Sequence, residues 1–175
     1  VVLCIYVGVI ESGCNGKEPQ ACKRILEEIN ERRAYPLDCD NRLTRAAGEH
    51  AEDMAAHDFL FHVGSDASTP ASRAHYAGKH ADRFHWTDFL TNKGYQWLAI
   101  AEALASGQET WGKVFGEWKH TNNVADLMAD ENLHDFGCGV ANDANGRPFW
   151  VAMFGREGDK YSYSKCAHTR TCHNN

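Results

Sequence analysis

After Asn41, apolar residues recur at helical spacing: Leu43, Ala47, Ala51, Met54 and Ala55. Arg42, Arg45, Glu49, Glu52 and Asp53 fall mostly on the opposite side. The pattern predicts an amphipathic helix with Asn41 as its N-cap. Near Asp58 it breaks into Phe59-Leu60-Phe61-His62 and then Gly64-Ser65-Asp66. That predicts a loop carrying His62 off a rigid base. His62 either acts as a ligand there or caps and packs the helix end.

Upstream, Pro19 opens a helix whose apolar side holds Ile25, Leu26 and Ile29 and which Tyr35-Pro36 closes. Leu37 to Asp40 links it to the Asn41 helix. Ser68-Thr69-Pro70 is a hydroxyl cap with proline in the first turn, so a short helix is expected over Ala71 to Lys79. The stretch from Lys79 to Gly94 reads as a loop or short helix. His75, His80 and His85 are spaced by five, poorly suited to shared ligation on a helix. Tyr95 to Ile100 reads as a strand, Thr110 to His120 as a helix with Trp111, Val114, Phe115 and Trp118 on one side, and Val124 to Ala129 as a helical turn. Asp135–Ala141 and Phe149–Phe154 form a hairpin across a turn from Asn142 to Pro148.

The chain of 175 residues is 43% hydrophobic and 24% charged, enough for one globular domain. A net charge of −6, with acidic and basic residues interspersed, excludes the basic footprint of a nucleic-acid binder. The strongly apolar run Val1–Ile10 is about half of the ~20 residues a membrane span needs. It reads as the tail of a signal peptide, as a faint lipoprotein-like box ending at Cys14, or as a Val- and Ile-rich strand that needs a partner. The last reading suggests a homo-oligomer or surface assembly. The division expected is an apolar extension over 1–16, a domain over 17–155 and a polar tail over 156–175. Seven cysteines without a CxxC pair point to disulfides in an oxidising compartment. Glu102, among apolar neighbours, needs a partner or its pKa rises.

Three motifs follow one another: GSDxSTPxxR from Gly64 to Arg73, AExxASGQ from Ala101 to Gln108, and GxGVAxDxxGxxxWVxxFG from Gly137 to Gly155. In this order, with a tryptophan-ended helix between the last two, the chain from about Glu27 to Gly155 resembles the CAP superfamily of cysteine-rich secretory, antigen 5 and pathogenesis-related 1 proteins. The resemblance implies an α+β fold, an α-β-α sandwich with a central, largely antiparallel sheet flanked by helices. It also implies a secreted or cell-surface location.

The resemblance further implies a cleft in which two histidines and two acids can hold a divalent metal. His62 matches the first histidine and Glu102 the glutamate of a Gly-Glu-Asn motif, written here Ala101-Glu102-Ala103. The second histidine heads a His-x-x-Asn segment in the family, but Asn123-Val124-Ala125-Asp126 stands there. His120 lies one turn upstream. The second acid falls near Thr121, and Glu117, before Trp118, should point elsewhere. A tight zinc site wants three or four protein ligands, so no cofactor is expected. His62, Glu102 and, after rearrangement of the turn, His120 are the metal candidates, with Ser65, His120 and Asn123 as cleft neighbours. The expected structural role is a His62–Glu102 hydrogen bond tying the loop to the sheet.

The expected disulfides are Cys14–Cys22, Cys39–Cys138 and Cys166–Cys172, leaving Cys4. Closing the roughly 100-residue loop between Cys39 and Cys138 would stabilise by about 4–5 kcal/mol in the loop-entropy model. The reading that follows is a non-catalytic binding or structural module. Two alternatives stand beside it: a metal-dependent hydrolase, or a serine-type one drawing on Ser65, Ser68 or Ser72 with His62 and Glu102; and a lipid or sterol carrier.

Overall fold

The computed structural model describes residues 20–77 and 94–158. The expectations for Val1–Ile10, His80, His85 and the polar tail from Asp159 lie outside these residues, as do Cys4, Cys14, Cys166 and Cys172.

In chain order the elements are α1 (Gln20–Asn30), β1 (Asp38–Cys39), α2 (Asn41–His57), α3 (Pro70–Tyr76), β2 (Trp97–Ser106), α4 (Trp111–Trp118), α5 (Asn122–Ala129), β3 (Asp135–Asn142) and β4 (Pro148–Glu157). The strands form one sheet in the order β1-β3-β4-β2. The β1–β3 pair is parallel, and the β3–β4 and β4–β2 pairs are antiparallel. Helices cover both faces, giving the expected α-β-α sandwich.

Alternation along β4 decides which residue serves which layer, because successive strand side chains point to opposite faces. Phe149, Val151 and Met153 pack with Leu43, Ala47, Ala51 and Met54 of α2 and Ala74 of α3. Trp150, Ala152 and Phe154 pack with Ile25 and Ile29 of α1, Val114, Phe115 and Trp118 of α4, and Met128 of α5. This central strand is apolar on both faces because both are covered. β2 follows the same rule: Ala103 and Ala105 join the α1 layer, whereas Ile100 and Leu104 join the α2 layer. Glu102 shares their parity and so belongs to the α2 side.

Several local expectations shift by a few residues. Asp40, not Asn41, caps α2, its carboxylate accepting from the amides of Arg42 and Leu43. An aspartate serves because Arg42 also closes on it, at 2.6 Å. The linker before it contributes β1, since pairing with Asp135 and Phe136 supplies hydrogen bonds that sequence pattern does not show. β2 starts at Trp97 and runs on through the Ala101–Ser106 segment, which is alanine-rich yet extended because β4 pairs with it residue by residue.

The helix α2 sits close against β3. A Cβ at Gly137 would collide with the backbone of Leu43 and Thr44, and one at Gly139 with Gly48 and Ala47. These glycines bring helix and sheet together.

The cysteine pairing differs from expectation. Cys22 of α1 is bonded to Cys138 of β3, with Cα atoms 5.5 Å apart. This replaces both Cys14–Cys22 and Cys39–Cys138. The reason is layering: α1 lies on the sheet face to which Cys138 points, and both cysteines are fully buried there. Cys39 is opposite Phe136, at the end of the short β1–β3 ladder, before Cys138 is reached. Cys39 is also held in a disulfide, though not with Cys138.

Candidate functional site

Three elements meet at Glu102. β2 presents its side chain toward the α2 layer, the loop after α2 brings His62, and α3 brings Arg73. The loop is built from its own polar residues. Asp58 ends α2 in a left-handed conformation (φ 54°), an arrangement aspartate tolerates. Asp53, still on α2, accepts from the Ser65 amide at 2.8 Å and from the Ser65 hydroxyl. Asp66 accepts from the Ser68 amide at 2.9 Å. Thr69 and Ser72 then form a capping box with Pro70 in the first turn, so α3 starts where the sequence pattern places it.

This start sets Arg73 one turn into the helix, and its guanidinium gathers the site. Nη2 donates to Glu102 Oε2 at 2.8 Å and to the His62 carbonyl at 2.9 Å. Nη1 donates to the Ser68 carbonyl at 3.0 Å and the Ser68 hydroxyl at 3.1 Å. The second carboxylate oxygen, Glu102 Oε1, accepts from His62 Nδ1 at 2.8 Å, the hydrogen bond expected from the sequence. The Glu102 side chain is 1% exposed and that of His62 59%, so the pair joins a buried acid to a solvent-facing imidazole.

His50 of α2 stands behind them, its Nε2 3.0 Å from the Phe61 carbonyl and 3.9 Å from Glu102 Oε1. Burial, and then the Arg73 charge, push its pKa below the ordinary histidine value, so the ring is neutral. Burial alone would raise the Asp53 carboxyl. The Ser65 hydrogen bonds and nearby His57 outweigh it and hold the pKa below the usual carboxylate range.

Ser65 lines a pocket with His50 and Arg73, but its hydroxyl is given to Asp53 rather than to a histidine. Ser68 serves Arg73 and Ser72 caps α3, so none of the three serines is set against His62 as a nucleophile against a base. His120 and Asn123 are exposed residues just after α4 and at the start of α5, elements of the opposite layer. Among the described residues, no hydrogen bond or ion pair joins either to His62 or Glu102.

The donor set does not fit a divalent metal. Both Glu102 oxygens are engaged, one by a guanidinium cation that would repel an incoming ion. Among the described residues, no group of three or more His, Cys, Asp or Glu side chains is arranged to hold a metal ion.

Sequence reasoning missed Arg73 and His50 as members of the site. Both left a signal. His50 interrupts the apolar side of α2 between Ala47 and Met54, and Arg73 closes the GSDASTPASR motif.

A family model described as CAP, cysteine-rich secretory protein family, matches residues 26–154. Comparison with curated protein sequences finds no match. Among solved structures, the fold is similar to an outer surface protein from Borrelia burgdorferi, with a TM-score of 0.62 at 18% identity, covering 79% of this chain and 94% of that one. It is also similar to an extracellular SCP-domain protein from Bacillus anthracis, with a TM-score of 0.61 at 18% identity, covering 80% of this chain and 41% of that one. A cysteine-rich secretory protein from Staphylococcus aureus gives a TM-score of 0.53 at 14% identity, covering 82% of this chain and 40% of that one. The chain therefore spans less than half of the latter two.

Proposed function

Since the chain belongs to the CAP, cysteine-rich secretory protein family, we propose that it is a secreted or cell-surface module that binds without catalysing. The observation that carries this reading is the closed chain Arg73–Glu102–His62. A general base or a metal ligand needs a carboxylate oxygen open to substrate or ion. Here one Glu102 oxygen is spent on Arg73 and the other on His62, and the side chain is buried. The acid therefore works as a clamp that holds the loop and α3 to β2, keeping the surface around His62 in one shape.

Location is supported by the seven cysteines and the Cys22–Cys138 bridge, which persists in oxidising compartments. The folds of the Borrelia and Bacillus proteins, named as outer surface and extracellular, agree with it. Among the described residues no helix is long and apolar enough to cross a membrane.

Ester and peptide hydrolysis by the full chain, measured beside His62→Ala and Glu102→Gln, tests the reading. The expected rates do not differ among the three proteins. A rate that drops about a hundredfold in both variants, the scale of a lost general acid or base, would establish an enzyme instead.

A further inference from the structure

The loop that follows α2 turns one aromatic residue inward and leaves larger apolar side chains outside. Phe59 packs against the α2 cluster. Leu60 is 43% exposed, Phe61 70% and Val63 52%. Apolar residues scattered singly over a surface are ordinary, whereas side chains exposed together form a patch of the kind that marks an interaction site.

The backbone beneath this patch is held from below. His50 Nε2 lies 3.0 Å from the Phe61 carbonyl, and Arg73 donates to the His62 carbonyl at 2.9 Å. The His62 side chain meets Glu102, and further on Asp53 accepts from the Ser65 amide. Buried polar groups thus fix a loop whose own apolar side chains stay in water. An anchor set in place before its partner arrives loses little conformational freedom on binding. An aromatic side chain so displayed has the character of a binding hot spot.

Charge selects the partner. Residues 49–69 hold the carboxylates Glu49, Glu52, Asp53, Asp58 and Asp66 and no lysine or arginine. Glu49, Asp53 and Asp66 line one pocket beside the loop. Arg73 and Arg147 reach this stretch from outside, but Arg73 is met by Glu102 and Arg147 by Asp58. An apolar patch with acids around it suits a partner that is apolar at its centre and cationic at its edge. The anionic surface of a membrane would be repelled by the same carboxylates.

We infer that the loop 59–63 is a docking surface for a cationic, amphipathic protein segment, with Phe61 as the anchor, Leu60 and Val63 beside it, and the neighbouring carboxylates steering its approach. The inference rests on the domain being a binding module, and the two fail separately. Turnover that depends on His62 and Glu102 would overturn the module, and lack of peptide binding at the loop would overturn the docking surface.

The test is amide chemical-shift mapping with calorimetric titration of the full, disulfide-intact chain. The probes are lysine–leucine and arginine–phenylalanine amphipathic peptides, with a glutamate–leucine peptide and phosphatidylcholine vesicles as comparators. At least one cationic peptide should bind, with shifts centred on residues 59–66 and an affinity that falls about tenfold or more in Phe61→Ser. Added salt should weaken the same binding by screening the carboxylates. Phe61 is exposed, so Phe61→Ser should melt with the wild type, and Val63→Ser, also at an exposed position, serves as a second variant if it does not. Absence of binding by both cationic peptides would overturn the inference. So would binding unchanged in the variants that fold, equal binding of the glutamate–leucine peptide, shifts centred elsewhere, or binding of vesicles in place of peptide.

Discussion

Arg73 ties the loop between α2 and α3, at two of its carbonyls, to Glu102 of β2. Its partners are the His62 carbonyl, the Ser68 carbonyl and hydroxyl, and the Glu102 carboxylate, all reached by a side chain that is 7% exposed. Removing it leaves a buried carboxylate with His62 as its remaining direct partner. Arg73→Ala should cost about 3 kcal/mol, the scale of a broken buried ion pair, read from urea unfolding midpoints. Combining Arg73→Met with Glu102→Gln should recover much of that loss, because no buried charge is then stranded. His50 gives a pH signature. Its folded pKa lies below the ordinary value near 6.5, so the unfolded chain takes the proton more readily. The stability it contributes is complete above about pH 6.5 and is lost as pH falls through the folded pKa. Unfolding free energies at about pH 7.5 and about pH 5.5 should therefore differ more in the wild type than in His50→Phe. The His62–Glu102 hydrogen bond was legible in the sequence through the motifs that carry the two residues. The Arg73 contact was not, because nothing in the spacing of residues 64–73 says which acid the arginine reaches.

Between elements, a covalent bond and close approach join the sheet to its helices. Cys22–Cys138 links α1 to β3 across 116 residues of chain. A loop of that length removes on the order of 5 kcal/mol of unfolded-state entropy in the chain-entropy model. Peptide mapping under non-reducing conditions should recover Cys22 and Cys138 in one cross-linked fragment. Cys22→Ser with Cys138→Ser should lower the unfolding free energy by about 3–5 kcal/mol. Recovery of either cysteine as a free thiol would contradict the pairing. Helix starts were largely readable, since Thr69-Pro70 and Thr110 cap α3 and α4 through bonds made within one turn. The extended form of Ala101–Ser106 was not, because alanine favours helix and only the β4 partner overrides it.

At the scale of the molecule, the sandwich assigns Glu102 to the α2 layer and His120 and Asn123 to elements of the other, which separates the residues that would have to cooperate around a metal. Chelation followed by titration with zinc should leave the melting temperature unchanged within about 1 °C. An ion that bound the native state would raise it by mass action, and a zinc-dependent rise that vanished in His62→Ala would show that a site assembles after all. By itself, the sequence determined where the helices and the hairpin lie and, through three ordered motifs, the family and the sandwich. The helices and the hairpin depend on contacts within a turn or between neighbouring segments, which local pattern records directly, whereas the family and the sandwich were implied by the resemblance those motifs carry. The tertiary structure alone decided that Cys22 meets Cys138, that Ala101–Ser106 is a strand, and that an arginine closes the Glu102 clamp. Each of these is a meeting of residues far apart in the chain, and which partner arrives is settled by how the layers pack against the central strand.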